Sequence, residues 1–147
     1  MPENIHFTMI LIGERGVLIS GASGSGKTTL ALALLDHCRQ RGSFSRLVGD
    51  DQIFVEAHAG RLVCRAPPTI AGLVEVPGLG PRAVPFEPAA IVDLHVCLTP
   101  AGETARFQED ADTSIAGCRV PRIDAVERNV IAALPAVMAR LSIAPFL

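Results

Sequence analysis

The segment Gly21-Ala22-Ser23-Gly24-Ser25-Gly26-Lys27-Thr28 constrains this chain more than any other. It satisfies G-x-x-x-x-G-K-[ST] at every fixed position, a loop that needs a strand feeding it and a helix leaving it. Both flanks read that way. Val17–Ser20 is a short apolar strand, and Lys27 to about Arg41 is rich in good helix formers, with Gly42 as a stop. The glycines let successive backbone N–H groups turn inward on phosphate oxygens, and the helix adds its positive end. Residues Gly21 to Thr28, with Thr29 after them, are therefore the expected nucleotide-binding set. Lys27 is expected to bridge the β- and γ-phosphates, and the Thr28 hydroxyl to ligate Mg²⁺. Of 13 basic residues Lys27 is the only lysine. A compact ammonium stands where phosphate chemistry uses a point charge rather than a planar fork.

The rest of the chain reads as short strands. His6–Ile12 is β-rich and Gly13–Gly16 is a turn. Arg46–Gly49 is a strand ending in Asp50-Asp51, and Gln52–Ala57 with Arg61–Arg65 alternates as a hairpin. Gly72–Pro88 reads as a strand running into a Gly/Pro-rich loop, Ile91–Leu98 as a central strand and Thr99–Ala111 as a polar connection. Ile115–Val120 reads as a last strand. Ile123 to about Leu141 reads as a C-terminal helix that Pro135 would kink or break. The strands meander where a regular doubly wound fold would place its second helix. With no repeat or linker in view, residues 1–147 read as a single domain.

Composition removes several function classes. A net charge of −2 with no Trp or Tyr gives neither a positive field nor stacking platforms, so no nucleic-acid partner is expected. Hydrophobic residues at 49% against 19% charged predict an oligomer or partner interface. Cys38, Cys64, Cys97 and Cys118 fit no zinc template and read as free thiols of a reducing cytoplasm. No signal-peptide pattern and no membrane-length apolar run is visible, so a cytoplasmic protein is expected.

Five further positions carry candidate chemistry. Asp50 and Asp51 are adjacent acids at a strand end, so their side chains should point to different sides. One would face a metal and the other an incoming hydroxyl, as proton acceptor or orienter; a solvated turn is the plainer alternative. Glu75, between Val74 and Val76, would need a cation if its strand were central, and is otherwise an outward-facing strand residue. Arg106, in ETARFQED, suits either transition-state charge or an exposed loop. His6, a lone histidine at a strand start, reads from the residues alone as packed or surface.

GASGSGKTTLALALL, LVGDD and APPTIAGLVEVPGLG, in this order and at these separations, resemble the catalytic domain of HPr kinase/phosphorylase. That family carries GxSGxGKS, a strand ending in Ala-Asp-Asp, and Glu-Ile-Arg-Gly-Leu-Gly. The resemblance covers about Ile5 to Arg128. It implies an α/β fold with a mixed sheet, a loop helix and a C-terminal helix, similar to the nucleotide-binding core of phosphoenolpyruvate carboxykinase. It implies ATP, Mg²⁺, and transfer to a serine on HPr, a phosphocarrier of phosphotransferase systems; many members also phosphorolyse the product, and they form hexamers. By resemblance Lys27 is the nucleotide lysine and Thr28 the metal hydroxyl. The acid taking the serine proton lies within Asp50-Asp51, with Asp51 also assigned to the metal. Glu75 is the metal-binding glutamate, His6 the catalytic histidine upstream of the loop, and Arg106 the arginine before the last strands.

The departures are specific. The family's N-terminal domain has no counterpart here, which implies a truncated form. Thr28 replaces Ser, Thr29 replaces Glu, and Pro77 replaces Arg, with Arg82 a few residues on. VPFEPAA replaces a glycine-rich stretch, and the loop tied to phosphorylase action survives only faintly in Val120–Asn129. Kinase action is thus better supported than phosphorylase action. The rival readings are a small-molecule kinase, against which the twelve scattered arginines form no lid cluster, and a non-catalytic ATP-binding regulator.

Overall fold

The structure is a computed structural model and describes residues 2–146. Strands β1 (Glu3–Ile5) and β2 (Thr8–Ile12) are separated by a bend at His6. Then come β3 (Arg15–Ser20), helix α1 (Lys27–Gln40), β4 (Ser45–Gly49), β5 (Ile53–His58) and β6 (Arg61–Arg65). They are followed by β7 (Leu73–Val76), β8 (Gly80–Ala83), β9 (Ala89–Thr99), β10 (Ala111–Ile115), β11 (Cys118–Val126) and helix α2 (Val130–Arg140).

The long strand β9 organises a nine-stranded mixed sheet ordered β1-β5-β6-β9-β3-β2-β4. Its first residues pair antiparallel with β6, and its later part lies parallel to β3 on one side and β11 on the other. β10 continues the sheet beyond β11, while β7 and β8 form a separate two-stranded sheet. Because β2 is antiparallel to both β3 and β4, these two run the same way. The carboxyl ends of β3, β4, β9 and β11 therefore share one edge, the edge where open α/β sheets place ligands.

Period-two alternation gives each face its own core. Leu94, Val96 and Leu98 of β9 meet Ile10, Val17 and Ile19 on the helical side. Met9, Leu18, Val48, Ile53 and Leu62 fill the other side. α1 adds Leu30, Ala31, Leu34 and Cys38, a stripe at helical spacing. The four cysteines are free. No helix among the described residues is long and apolar enough to cross a membrane.

The first half matches expectation closely, and the last third requires corrections. Ile115–Val120 is not one strand: it is divided by an Ala116-Gly117 turn with φ of 49° and 79°. That is the left-handed pair a two-residue hairpin loop needs. Ile123–Val126 is not helical but the end of β11, and α2 begins only at Val130. Pro135 lies on an exposed face and α2 continues past it to Arg140. In Gly72–Pro88 the expected strand is β7, but the expected loop contains a second strand, β8, that pairs back on it.

Candidate active site

β3 delivers the chain at Ser20, and the Ser25 N–H closes the glycine loop on the Ala22 carbonyl at 3.0 Å. Gly24 and Gly26 have φ of 77° and 96°, conformations that side chains resist. Gly21 is constrained differently: a Cβ there would run into Ser25 Oγ and stand 3.0 Å from Leu98 Cβ. Gly26 caps α1 with no side-chain bond to the first turn, and no acid lies in that turn. The first amides and the positive helix end are thus free to face an anion. The contrast is α2, where Asn129 Oδ1 accepts from the Ala132 N–H at 3.1 Å. Lys27 is buried, and its Nζ donates to the Gly21 and Ala22 carbonyls at 3.1 and 3.4 Å. An ammonium has three donors, so one remains.

The aspartates divide sharply. Asp50 is buried, and its Oδ1 accepts from Thr28 Oγ1 at 2.7 Å and Thr8 Oγ1 at 2.9 Å. Its Oδ2 accepts from the Glu75 backbone N–H at 2.8 Å. Asp51 has a φ of 63°, donates its N–H to Thr8 Oγ1 at 3.2 Å, and leaves its carboxylate exposed. The acid against Thr28 is therefore Asp50, while the Asp51 carboxylate, expected at the metal, lies exposed beside it. Glu75 takes the outward-facing alternative. Its strand is not central but half of a small hairpin, its side chain is exposed, and its backbone rather than its carboxylate ties it to Asp50.

Among the described residues no group of three His, Cys, Asp or Glu side chains forms a metal cage. Thr28 and Asp50 nevertheless fit Mg²⁺. The hydroxyl gives its proton to Asp50 and keeps its lone pairs, and Mg²⁺ is usually held by one or two such oxygens plus substrate phosphates.

The remaining predicted residues lie apart. His6 is exposed at the bend, two residues before Thr8, and makes no hydrogen bond to the loop or acids among the described residues. Arg106 is exposed in the segment after β9, its guanidinium 5.6 Å from the centre of the Phe107 ring. The structure thus brings together Lys27, Thr28, Asp50, Asp51 and the Glu75 backbone.

Sequence reasoning missed three parts of the site, Thr8, the cavity behind the loop and the Arg128 contact, while Ser25 and Thr29 belong to the expected nucleotide-binding set. Thr8 holds both aspartates from a distant strand, with no local signal. Ser25 Oγ is buried with no hydrogen-bond partner among the described residues. Ser25 also lines a cavity of about 290 Å³ between the loop and the start of α2, together with Thr29, Leu30, Leu98, Arg128 and Asn129. The Arg128 N–H donates to the Ser25 carbonyl at 2.8 Å, tying the approach to α2 to the loop. Here a signal existed: Asn129 before the apolar run VIAAL is a helix-start pattern.

Comparison with known proteins finds a family, sequence relatives and a solved structure similar to this chain. The family described as HPr Serine kinase C-terminal domain matches residues 2–84. The chain is 39% identical over 80 residues to the HPr kinase/phosphorylase of Clostridium beijerinckii, covering 54% of this chain and 24% of that one. It is 42% identical over 77 residues to that of Halalkalibacterium halodurans, covering 52% and 23%. The chain thus spans about a quarter of the length of the curated relatives it matches. The solved structure of the Hpr(Ser) kinase/phosphatase from Coxiella burnetii superposes with a TM-score of 0.78 at 26% identity, covering 95% of each chain. The family match contains the loop, both aspartates and Glu75, and the structural likeness extends to β9, β11 and α2.

Proposed function

The chain belongs to the HPr Serine kinase C-terminal domain family, matched over residues 2–84, and from this premise we propose that it transfers the γ-phosphoryl group of ATP to a serine of an HPr-type phosphocarrier protein. The observation that carries the reading is the division of the aspartate pair. Asp50 is occupied by three donors and turned onto Thr28, while Asp51 is exposed beside it. Phosphoryl transfer to an alcohol asks for both: one acid to fix the metal-binding hydroxyl and one to accept a proton.

In this reading the amides of Gly21–Thr28 and the bare end of α1 hold the phosphates, and Lys27 turns its ammonium onto the β- and γ-oxygens. Thr28, oriented by Asp50, would hold Mg²⁺, with the Glu75 backbone N–H fixing the same aspartate. Mg²⁺ bound there would supply charge neutralisation at the phosphate oxygens. Asp51 takes the serine proton as the serine oxygen bonds to phosphorus, and ADP leaves with the electrons of the broken P–O bond. The cavity beside Leu30 and Leu98 has room for the base of the nucleotide. The family resemblance would give His6 a role toward the acceptor and Arg106 one toward the developing charge.

The test is transfer of labelled γ-phosphate from Mg-ATP to a purified HPr-type carrier. Label should reach a carrier serine. Lys27→Ala and Asp51→Asn should each lower the rate by at least about a hundredfold. ATP binding with no label on any carrier would instead favour a nucleotide-dependent regulator.

A further inference from the structure

The outer edge of β11 is covered only in part. β10 pairs with it from Cys118 to Arg122 and stops there at Ala111. On the inner side β11 stays paired with β9 from Arg122 to Val126. The backbone of Asp124 would thus lie on a bare edge, and Gln108 takes the missing strand's place. Gln108 Nε2 donates to the Asp124 carbonyl at 2.7 Å, and the Asp124 N–H donates to Gln108 Oε1 at 2.7 Å. A primary amide carries a donor and an acceptor side by side, so it completes the ladder as one peptide group would.

Upstream, the same segment is fastened by Thr104. Its Oγ1 lies 2.6 Å from Thr99 Oγ1 and donates to the Pro100 carbonyl at 2.9 Å. Only Ala105, Arg106 and Phe107 stand between these two clips. Phe107 is 86% exposed, so the core does not anchor the span. The segment leaves from the carboxyl end of β9, whose Leu98 abuts the phosphate loop at Gly21.

We infer that Gln108 is a positioning residue for Arg106: the amide clip on Asp124 holds the three-residue span that follows β9 and sets where its arginine meets transition-state charge. This rests on the kinase reading and on the role that reading gives Arg106. The bonds are solvent-exposed, so the span is held without being locked. Gln108 itself touches no reacting group.

The test combines Gln108→Ala, Gln108→Glu, Arg106→Ala and the double variant Gln108→Ala/Arg106→Ala. Two readouts are needed: amide hydrogen exchange over residues 100–110 and 120–127, and kcat and KM for transfer to the carrier. Gln108→Ala should speed exchange in both stretches. It should lower kcat roughly tenfold or more while KM for ATP stays within about twofold. Gln108→Glu keeps the acceptor for the Asp124 N–H but loses the donor, and should fall between. In the Arg106→Ala background Gln108→Ala should cost nothing further. Unchanged exchange in Gln108→Ala would overturn the clip. Faster exchange with unchanged kcat, or losses that add in the double variant, would overturn the positioning role. Arg106→Ala with full kcat would remove the arginine's role, and the positioning role with it. A wild-type chain that transfers no phosphate would fail the kinase reading instead, while hydrogen exchange would still decide whether Gln108 pins the span.

Discussion

Asp50 and Asp51 carry the same functional group one peptide apart, and their environments make them different reagents. Asp50 satisfies two buried hydroxyls and one backbone N–H. Truncating it strands three donors, each unmade bond in a buried setting costing about 1–3 kcal/mol. Asp50→Ala should therefore lose about 3 kcal/mol or more of unfolding free energy in urea. Asp51→Asn should stay within about 0.5 kcal/mol of wild type while losing transfer. If both variants melt alike, the division of roles is wrong. This division was only half legible in the sequence. The pair itself is visible in a dipeptide after an apolar strand. Which acid turns inward depends on Thr8, 42 residues before Asp50, and on a positive φ at Asp51 that no local pattern announces. Glu75 shows the same limit. Its apolar neighbours leave a buried and an outward-facing carboxylate both open, and the pairing of its strand with β8 decides for the side chain outside.

The two helices are built for opposite purposes at their first turns. α1 starts on Gly26 with no side-chain cap, whereas α2 starts on Asn129, which caps Ala132. A cap of this kind contributes about 1 kcal/mol. Asn129→Ala should lower stability by about that amount and also loosen the cavity beside Arg128, which thermal melts with and without ATP can measure. A full-sized loss of stability with unchanged ATP stabilisation would separate α2 from the nucleotide site. α1 was legible because its motif, helix formers and Gly42 stop all agree. α2 was not, because IDAVERNVIAAL is compatible with a helix along its whole length. Long-range pairing of Ile123–Val126 with Val96–Thr99 decides the first part of it. The two Ala-Gly hairpin turns make the same point. Ala59-Gly60 stood out between alternating strands, whereas Ala116-Gly117 did not, although both pairs adopt positive φ.

At the scale of the molecule, the strand feeding the loop is tied to the far hairpin through one buried imidazole. His95 on β9 lies 2.6 Å from Ser20 Oγ through Nε2 and 3.0 Å from Thr113 Oγ1 through Nδ1, with its ring stacked on Phe7. It is 3% exposed, and burial, with the nearby Arg122 guanidinium, lowers its pKa from 6.5 to about 4 against the opposing pull of Asp124. The neutral ring suits its place, since one nitrogen donates to a hydroxyl and the other accepts from one. The consequence for stability follows from linkage. Between pH 6.5 and about 4 the unfolded chain binds a proton at this histidine that the folded chain refuses, so stability falls as pH falls through that window. The contribution is complete above pH 6.5 and lost below about 4, an interval worth about 3 kcal/mol. Replacing the ring with a non-titrating amide isolates the term. Urea unfolding of the wild type should lose about 2–3 kcal/mol more than His95→Gln between pH 7 and 4.5. The difference should be gone between pH 7 and 8, where neither state of the histidine titrates. Parallel profiles would mean that this histidine takes up its proton in the folded sheet as readily as in water, and that the tie between the phosphate-loop strand and the hairpin does not depend on a neutral ring.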